Sequence, residues 1–318
     1  MSFTRLESTD FVISSDAVTA PAWTANNPVL AAGGGTVDNG YYIDVYNGAP
    51  GSPGSAIQYS IAYGQAEGTG SSPLNDLVPA LTPTRINYGQ YRNIVYGDNE
   101  KLFNFGPGNT ASLNMVAIQV DRNRYKEALF PGTFNIVVNG INLTDDSKDS
   151  TAVNYLDCGR AYNIISGSNG TKGTGGGPSP SNGYYGLFLP DVGLIVLNPD
   201  ACGMSFSTST GPGITGIPDN TTALGYIGDF TLNSFETISS DYVFVRIKNA
   251  EYNYSTNPSY MTGSGNLLYS DFINNSQTYI TTVGLYNDNN ELLAVAKLSK
   301  PLVKDFTKEA LIRVKLDW

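Results

Sequence analysis

The stretch 279-YITTVGLYNDNNELLAVAKLSKP-301 decides the fold of its end of the chain. Ile280, Thr282 and Gly284 alternate with Thr281, Val283 and Leu285, which is the period of a strand. Asn287, Asp288, Asn289 and Asn290 then turn the chain, and residues 292–298 run back. Asx side chains suit such a turn because they hydrogen-bond locally and tolerate left-handed backbone. Residues 310–316 read as a strand placed to join this hairpin. The C-terminal sheet is therefore expected as an organising core.

Working outward, the same punctuation recurs. Residues 241–248 (DYVFVRIK), 114–120 (NMVAIQV) and 134–138 (FNIVV) read as strands. Asn139-Gly140 between 134–138 and 141–143 is a strong short-range hairpin signal. Residues 184–189 and 192–197 are strands split by Pro190-Asp191, and 41–46 and 56–63 are strands further upstream. Residues 121–129 (DRNRYKEAL) are the best short-helix candidate, with Asp121 as its cap. Residues 88–96 form a second short helix or a loop, and residues 267–273 a short helix or turn. The 35 glycines and 17 prolines of 318 residues leave little room for long helices.

The expected fold is mainly β: antiparallel sandwich or barrel-like sheets, long Gly/Asn-rich loops, one or two short helices and an extended N-terminal arm. The arm covers residues 1–30 and the body 31–318. The Gly-rich segment 166–182 is the place where the body would divide into two subdomains.

Charge and residue usage then narrow the function. The formal charge of −10 disfavours nucleic acid, whose phosphates need clustered cations. The six Lys and Arg residues between Lys297 and Lys315 are interrupted by Asp305 and Glu309, as on a solvated or interface face. There is no histidine, so a His-based hydrolase dyad is excluded and the usual neutral metal ligand is missing. Cys158 and Cys202 either pair or stand as free thiols, the latter favoured in a chain this long. The opening MSFTRLESTD is polar where a secretory leader is apolar, and no run of 18 apolar residues exists, so neither a leader nor a membrane helix is expected.

Candidate chemistry is sparse. Asp288, Asn290 and Glu291 lack the spacing of a calcium loop, and Leu292 and Leu293 follow directly. Asp145, Asp146 and Asp149 read as a solvated acidic loop before a cation site. Lys172 comes too early in its Gly-rich run for a phosphate loop. Glu67, Glu100, Asp157, Asp191, Asp229 and Glu236 leave a glycosidase pair formally open, yet nothing in sequence pairs two of them. No catalytic, cofactor or metal residue is therefore assigned. Contact residues stand out instead: Phe11, Ile13 and Trp23 in the arm, Tyr260 in a Tyr/Asn-rich loop, and Trp318 at the end. Trp23 either packs on its own domain or docks on a neighbouring subunit.

Several segments carry a resemblance: 88–93 (YGQYRN), 125–135 (YKEALFPGTFN), 143–147 (LTDDS), and above all 282–301 with 311–317 (LIRVKLD). In these the chain resembles virion structural proteins, associated with the tail or baseplate, of large contractile-tailed bacteriophages, including those of cyanobacteria. The resemblance implies a non-enzymatic part without cofactor, assembled in the host cytoplasm into the virion. Its implied partners are other virion proteins and copies of itself, with no direct nucleic acid and no membrane insertion. The alternative is a carbohydrate- or receptor-binding fibre or adhesin component, for which the tyrosine-rich loops would supply the platform.

Overall fold

The computed structural model describes residues 4–24, 36–38, 41–68, 84–106, 111–149, 153–174, 183–206, 219–254 and 258–317. The chain is mainly β and its sheets are antiparallel. In chain order the strands and helices are β1 (Phe11–Pro21), β2 (Thr36–Asp38), β3 (Ile43–Tyr46), β4 (Ile57–Gln65), α1 (Thr84–Tyr96), β5 (Phe103–Asn104), β6 (Ala111–Ser112) and β7 (Asn114–Val120). There follow β8 (Ala128–Leu129), β9 (Asn135–Val138), β10 (Ile141–Asp145), β11 (Asn154–Leu156), β12 (Gly159–Ser168), β13 (Thr171–Lys172), β14 (Gly186–Leu189) and β15 (Leu194–Leu197). The last are α2 (Pro199–Cys202), α3 (Asp219–Gly225), β16 (Ile227–Thr231), β17 (Asn233–Ile247), α4 (Asp271–Asn274), β18 (Thr278–Tyr286), β19 (Leu292–Lys304) and β20 (Ala310–Asp317).

The chain forms two compact units, one of residues 17–236 and one of residues 1–16 with 237–318. The division falls inside β1 and β17 rather than near 166–182. Residues 166–168 end β12, Asn169-Gly170 turns with φ of 52° and 78°, and β13 pairs back on β12. Residues 175–182 lie outside the described residues.

The larger unit holds one long sheet in the order β16-β9-β10-β12-β14-β15-β7-β4-β3-β2. Its central strands are buried on both faces, which is why β14 (GLFL) and β15 (LIVL) read as continuous apolar runs. On one face Val116, Ile118, Phe188, Ile195 and Leu197 join a cluster that also contains Trp23, Ile43 and Phe230. On the other, Met115, Ala117, Leu187 and Val196 pack with Tyr88 and Val95 of α1 and with Phe103 and Phe105. Tyr59 of β4 and Phe230 of β16 sit towards opposite ends of the strand order, yet their rings meet at 5.4 Å. The sheet therefore curls into a half-barrel around its own core.

Gly186 shows how tight the sheet centre is. A Cβ there would lie 2.2 Å from the Val196 carbonyl oxygen and 3.0 Å from Ile164 Cδ1. Gly186→Ala is expected to cost about 1–3 kcal/mol through overpacking. The measurement is the midpoint of thermal unfolding, and an unchanged midpoint would show that the strands separate freely.

The hairpin expected at 134–143 forms as β9-β10, and the two strands expected over 184–189 and 192–197 pair with each other as β14-β15. Asn139 (φ 50°) and Gly140 (φ 76°) supply the two left-handed positions that the first turn needs. The helix expected over 121–129 does not form. Asp121 caps a single 3₁₀ turn at Arg122–Arg124, accepting the Asn123 N–H at 2.9 Å, and Ala128 and Leu129 then pair with β17. A buried apolar pair facing a waiting strand outweighs helix propensity in so short a segment. Among the described residues four short helices form, α1 being the longest.

The smaller unit is a sheet of β1, β17 and β20 with the separate hairpin β18-β19. β20 does not join the hairpin edge to edge, as the sequence suggested. It pairs with β17, from Ser240 opposite Asp317 to Ile247 opposite Ala310. The hairpin packs on that pair through side chains instead: Ile280, Val283, Leu285, Ala296 and Leu298 lie against Val243, Ile247, Ile312 and Val314. The main core of the molecule is thus the half-barrel, not the C-terminal sheet.

Candidate functional site

The titratable groups considered as chemistry turn out to hold the backbone. Asp145 is buried, and both carboxylate oxygens accept the Gly132 N–H, at 3.0 and 2.8 Å. Burial pushes its pKa up, against those hydrogen bonds. Asp146 accepts the Asn163 backbone N–H at 3.0 Å and its amide at 2.8 Å. Asp149 accepts the Lys172 N–H. The acidic loop is a set of turn anchors, and among the described residues no group of three metal-ligating side chains forms. Cys158 is half-buried and Cys202 buried, both as free thiols, and burial pushes the Cys202 thiol up to about 12.

Of the six loose carboxylates, Asp191 takes a structural partner. Arg160 donates to it from Nε at 3.0 Å and from its backbone N–H at 2.8 Å. Partial burial works against the Asp191 carboxylate, but the Arg160 hydrogen bonds outweigh it and hold the group below its ordinary range. A depressed carboxylate contributes stability above its unfolded pKa and loses it as pH falls through the folded value. The stability gap between wild type and Arg160→Gln is therefore expected in full at pH 7, closing as the pH is lowered past that range. Denaturant midpoints followed from pH 7 down to about pH 1, below both the folded and the unfolded carboxylate, read it, and a gap that persists at the lowest pH would rule the pair out as its source.

What the molecule offers outward is apolar strand surface on the smaller unit. In β1 every residue except Ser14 is exposed, including Phe11 at 46% and Ile13 at 76%. Both candidates lie on a strand that pairs with β17 on one side and buries neither face. An ordered strand with apolar side chains in water is a ready template for another chain. Trp23, the third arm candidate, goes inward. It is buried in the half-barrel, edge-on to Phe230 at 4.8 Å, and its indole N–H donates to the Phe230 carbonyl at 2.8 Å. Its partner is its own domain.

Tyr260 is half-exposed in a small aromatic cluster, 6.2 Å from Tyr269 and 5.6 Å from Phe272 between ring centroids. Tyr254, Leu268 and Ile273 on the same stretch are also exposed. Trp318 lies outside the described residues.

A further surface was missed in the sequence. The outward side of the β18-β19 hairpin carries Tyr286, Leu292 and Val295, with Tyr279 and Leu293 also exposed. The signal was available: an antiparallel ribbon with one packed face should be polar on the other, and this one is not. It was obscured by a bulge. Between Ile280 and Thr282 the register jumps from Leu302 to Lys297, so the inward positions change phase, and Pro301 sits where no ladder N–H is needed. Gly284 faces outward, and Tyr286 folds over it; a Cβ there would lie 2.9 Å from the Tyr286 ring and 3.3 Å from Leu292 Cδ1.

Among the described residues no helix is long and apolar enough to cross a membrane. Comparison with protein-family models, with curated proteins and with solved structures gives no match.

Proposed function

We propose that the chain is a structural component of a tailed bacteriophage virion, in the tail or baseplate, acting through subunit contacts during assembly in the host cytoplasm. The observation that carries this reading is β1. Ordering a strand costs backbone entropy of about 1–2 kcal/mol per residue, and this strand recovers little of it by burial within its own chain. A neighbouring subunit laid along it would supply that burial. The segments that resemble tail and baseplate proteins, and the use of Asp145, Asp146 and Asp191 as backbone anchors, favour contact over catalysis.

The test is a cryo-EM map of the native particle. Density for this chain with Phe11 and Ile13 covered by a neighbour is the expected result. Purified particles in which mass spectrometry finds no peptide of this chain would overturn the reading.

A second reading, receptor or glycan binding at a particle tip, is favoured by one observation: the exposed rings of Tyr254, Tyr260 and Tyr269. Tyrosine supplies contact area and a hydroxyl at low entropy cost. In the same map, a free tip position for residues 254–273 would favour it.

A further inference from the structure

The outward side of the β18-β19 hairpin is built to meet itself. Its inward positions, Ile280, Val283, Leu285, Ala296 and Leu298, are used up by the core of the smaller unit. Outward, the ladder sets Gly284 opposite Val295 and Thr282 opposite Lys297, with Tyr286 and Leu292 meeting next to the turn. The glycine makes the middle of this face low, and Tyr286 and Leu292 close over it. The result is a shelf of apolar groups without a long polar side chain until Lys297.

Charge is distributed along the shelf with a direction. The turn end carries Asp288 and Glu291, the latter held against the Asn287 amide at 2.6 Å. The other end carries Lys297 and Lys300. All four are exposed, and among the described residues neither lysine forms an ion pair within its own chain. Glu291 and Lys297 are six strand residues apart, roughly 20 Å. Two copies laid face to face in parallel would set acid on acid and lysine on lysine. Laid antiparallel about a two-fold axis near Ala294, they set Glu291 of each across from Lys297 of the other, with Asp288 on the side of Lys300. The same axis brings the Leu293–Val295 region of one copy onto that of its mate.

We infer that this face is a two-fold interface between two copies of this chain. Antiparallel closure is self-complementary in charge and isologous, so it stops at two and does not propagate. The size fits as well. Tyr286, Leu292, Leu293 and Val295 are between 37% and 67% exposed, on the order of 400 Å² in all. Thr281, Thr282, Lys297 and Glu291 around them form a polar rim that brings the face towards the roughly 800 Å² per partner of a stable pair. Face-to-face β packing at about 10 Å leaves room for those side chains to interdigitate. The inference does not depend on the virion reading, which concerns what β1 meets.

Sedimentation velocity on the purified full chain tests it. Wild type is expected to sediment as a dimer at micromolar concentration, and Val295→Asp as a monomer with an unchanged circular dichroism spectrum. Lys297→Glu and Glu291→Lys are each expected to weaken the dimer by about tenfold at low salt, and the double exchange to restore it. That restoration keeps the test sharp should Val295→Asp disturb folding. A wild-type chain that stays monomeric at 100 μM overturns the inference. So does a dimer indifferent to all of these changes, which would assign self-association to another surface. Absence of the chain from particles would leave this result untouched, so the two proposals fail separately.

Discussion

Trp23→Ala is expected to destabilise the half-barrel unit by about 3–5 kcal/mol, a large share of the 5–15 kcal/mol that a domain has. The indole is 4% exposed and sits between Tyr59, at 5.7 Å, and Phe230. Those two rings come from strands towards opposite ends of the long sheet, so the indole fills the space that the curl encloses. Truncation leaves a cavity that the sheet can close only by changing its curvature. It also removes the donor to the Phe230 carbonyl, and an orphaned buried acceptor adds about 1–3 kcal/mol. Trp23→Phe separates the two effects, because it keeps most of the packing and loses the hydrogen bond; a smaller loss is expected. Far-UV circular dichroism during urea unfolding measures both. A shift below about 1 kcal/mol for the alanine variant would mean that the indole is not holding the curl.

Lys304→Met is expected to be nearly as severe, and its effect falls on the smaller unit. Lys304 is fully buried, and its ammonium donates to three oxygens: the Asn249 carbonyl at 2.9 Å, Asn253 Oδ1 at 2.9 Å and the Asp305 carbonyl at 2.8 Å. Three N–H groups thus meet three acceptors. Two of the acceptors, on Asn249 and Asn253, belong to the irregular segment after β17, which is tied to β18 by Thr278 Oγ1 donating to the Tyr252 carbonyl at 2.6 Å; the third, the Asp305 carbonyl, follows β19 directly. Methionine matches the stem and supplies no donor. Each stranded acceptor costs about 1–3 kcal/mol, so a loss of about 3 kcal/mol or more follows. This unit has little reserve, since its core cluster contains only Val243, Ile247, Ile312 and Val314 as buried apolar side chains among the described residues. Hydrogen exchange of residues 248–254 is the sensitive reporter. Unchanged protection there would show that water replaces the ammonium at no cost.

The parts of this fold that could be read in the sequence were the local ones. Asn287 shows why: its Oδ1 accepts the N–H groups of Asn289 and Glu291 at 3.0 and 2.8 Å, so the turn is encoded within five residues. Asn139-Gly140 is encoded the same way. The partners of β20 were not legible, because the choice between β17 and the hairpin rests on side-chain packing across more than 60 residues. The short helix expected after Asp121 failed for a related reason, since Ala128 and Leu129 answer to a strand over 100 residues later. For the candidate contact residues, composition showed that Phe11, Ile13 and Trp23 were unusual in a polar segment but not which way each would face. Ten residues separate Ile13, in water, from Trp23, in the core. The hairpin face was hidden by its register jump, which makes a simple alternation put Ile280 and Gly284 on one side.

The interrupted layout of the smaller unit also has a bearing on synthesis. Its first piece, residues 1–16, is made before the 220 residues of the other unit, and the strand partner of β1 is β17. At the roughly 5–20 residues per second of translation, the Phe11-Val12-Ile13 segment waits about 10–45 s for that partner to be made. Meanwhile the half-barrel can close, since its strands run from β2 to β16 and all precede β17. The order of events on the ribosome thus leaves an adhesive strand unattended, and it makes the nascent chain, before the finished protein, the stage at which a chaperone would bind it.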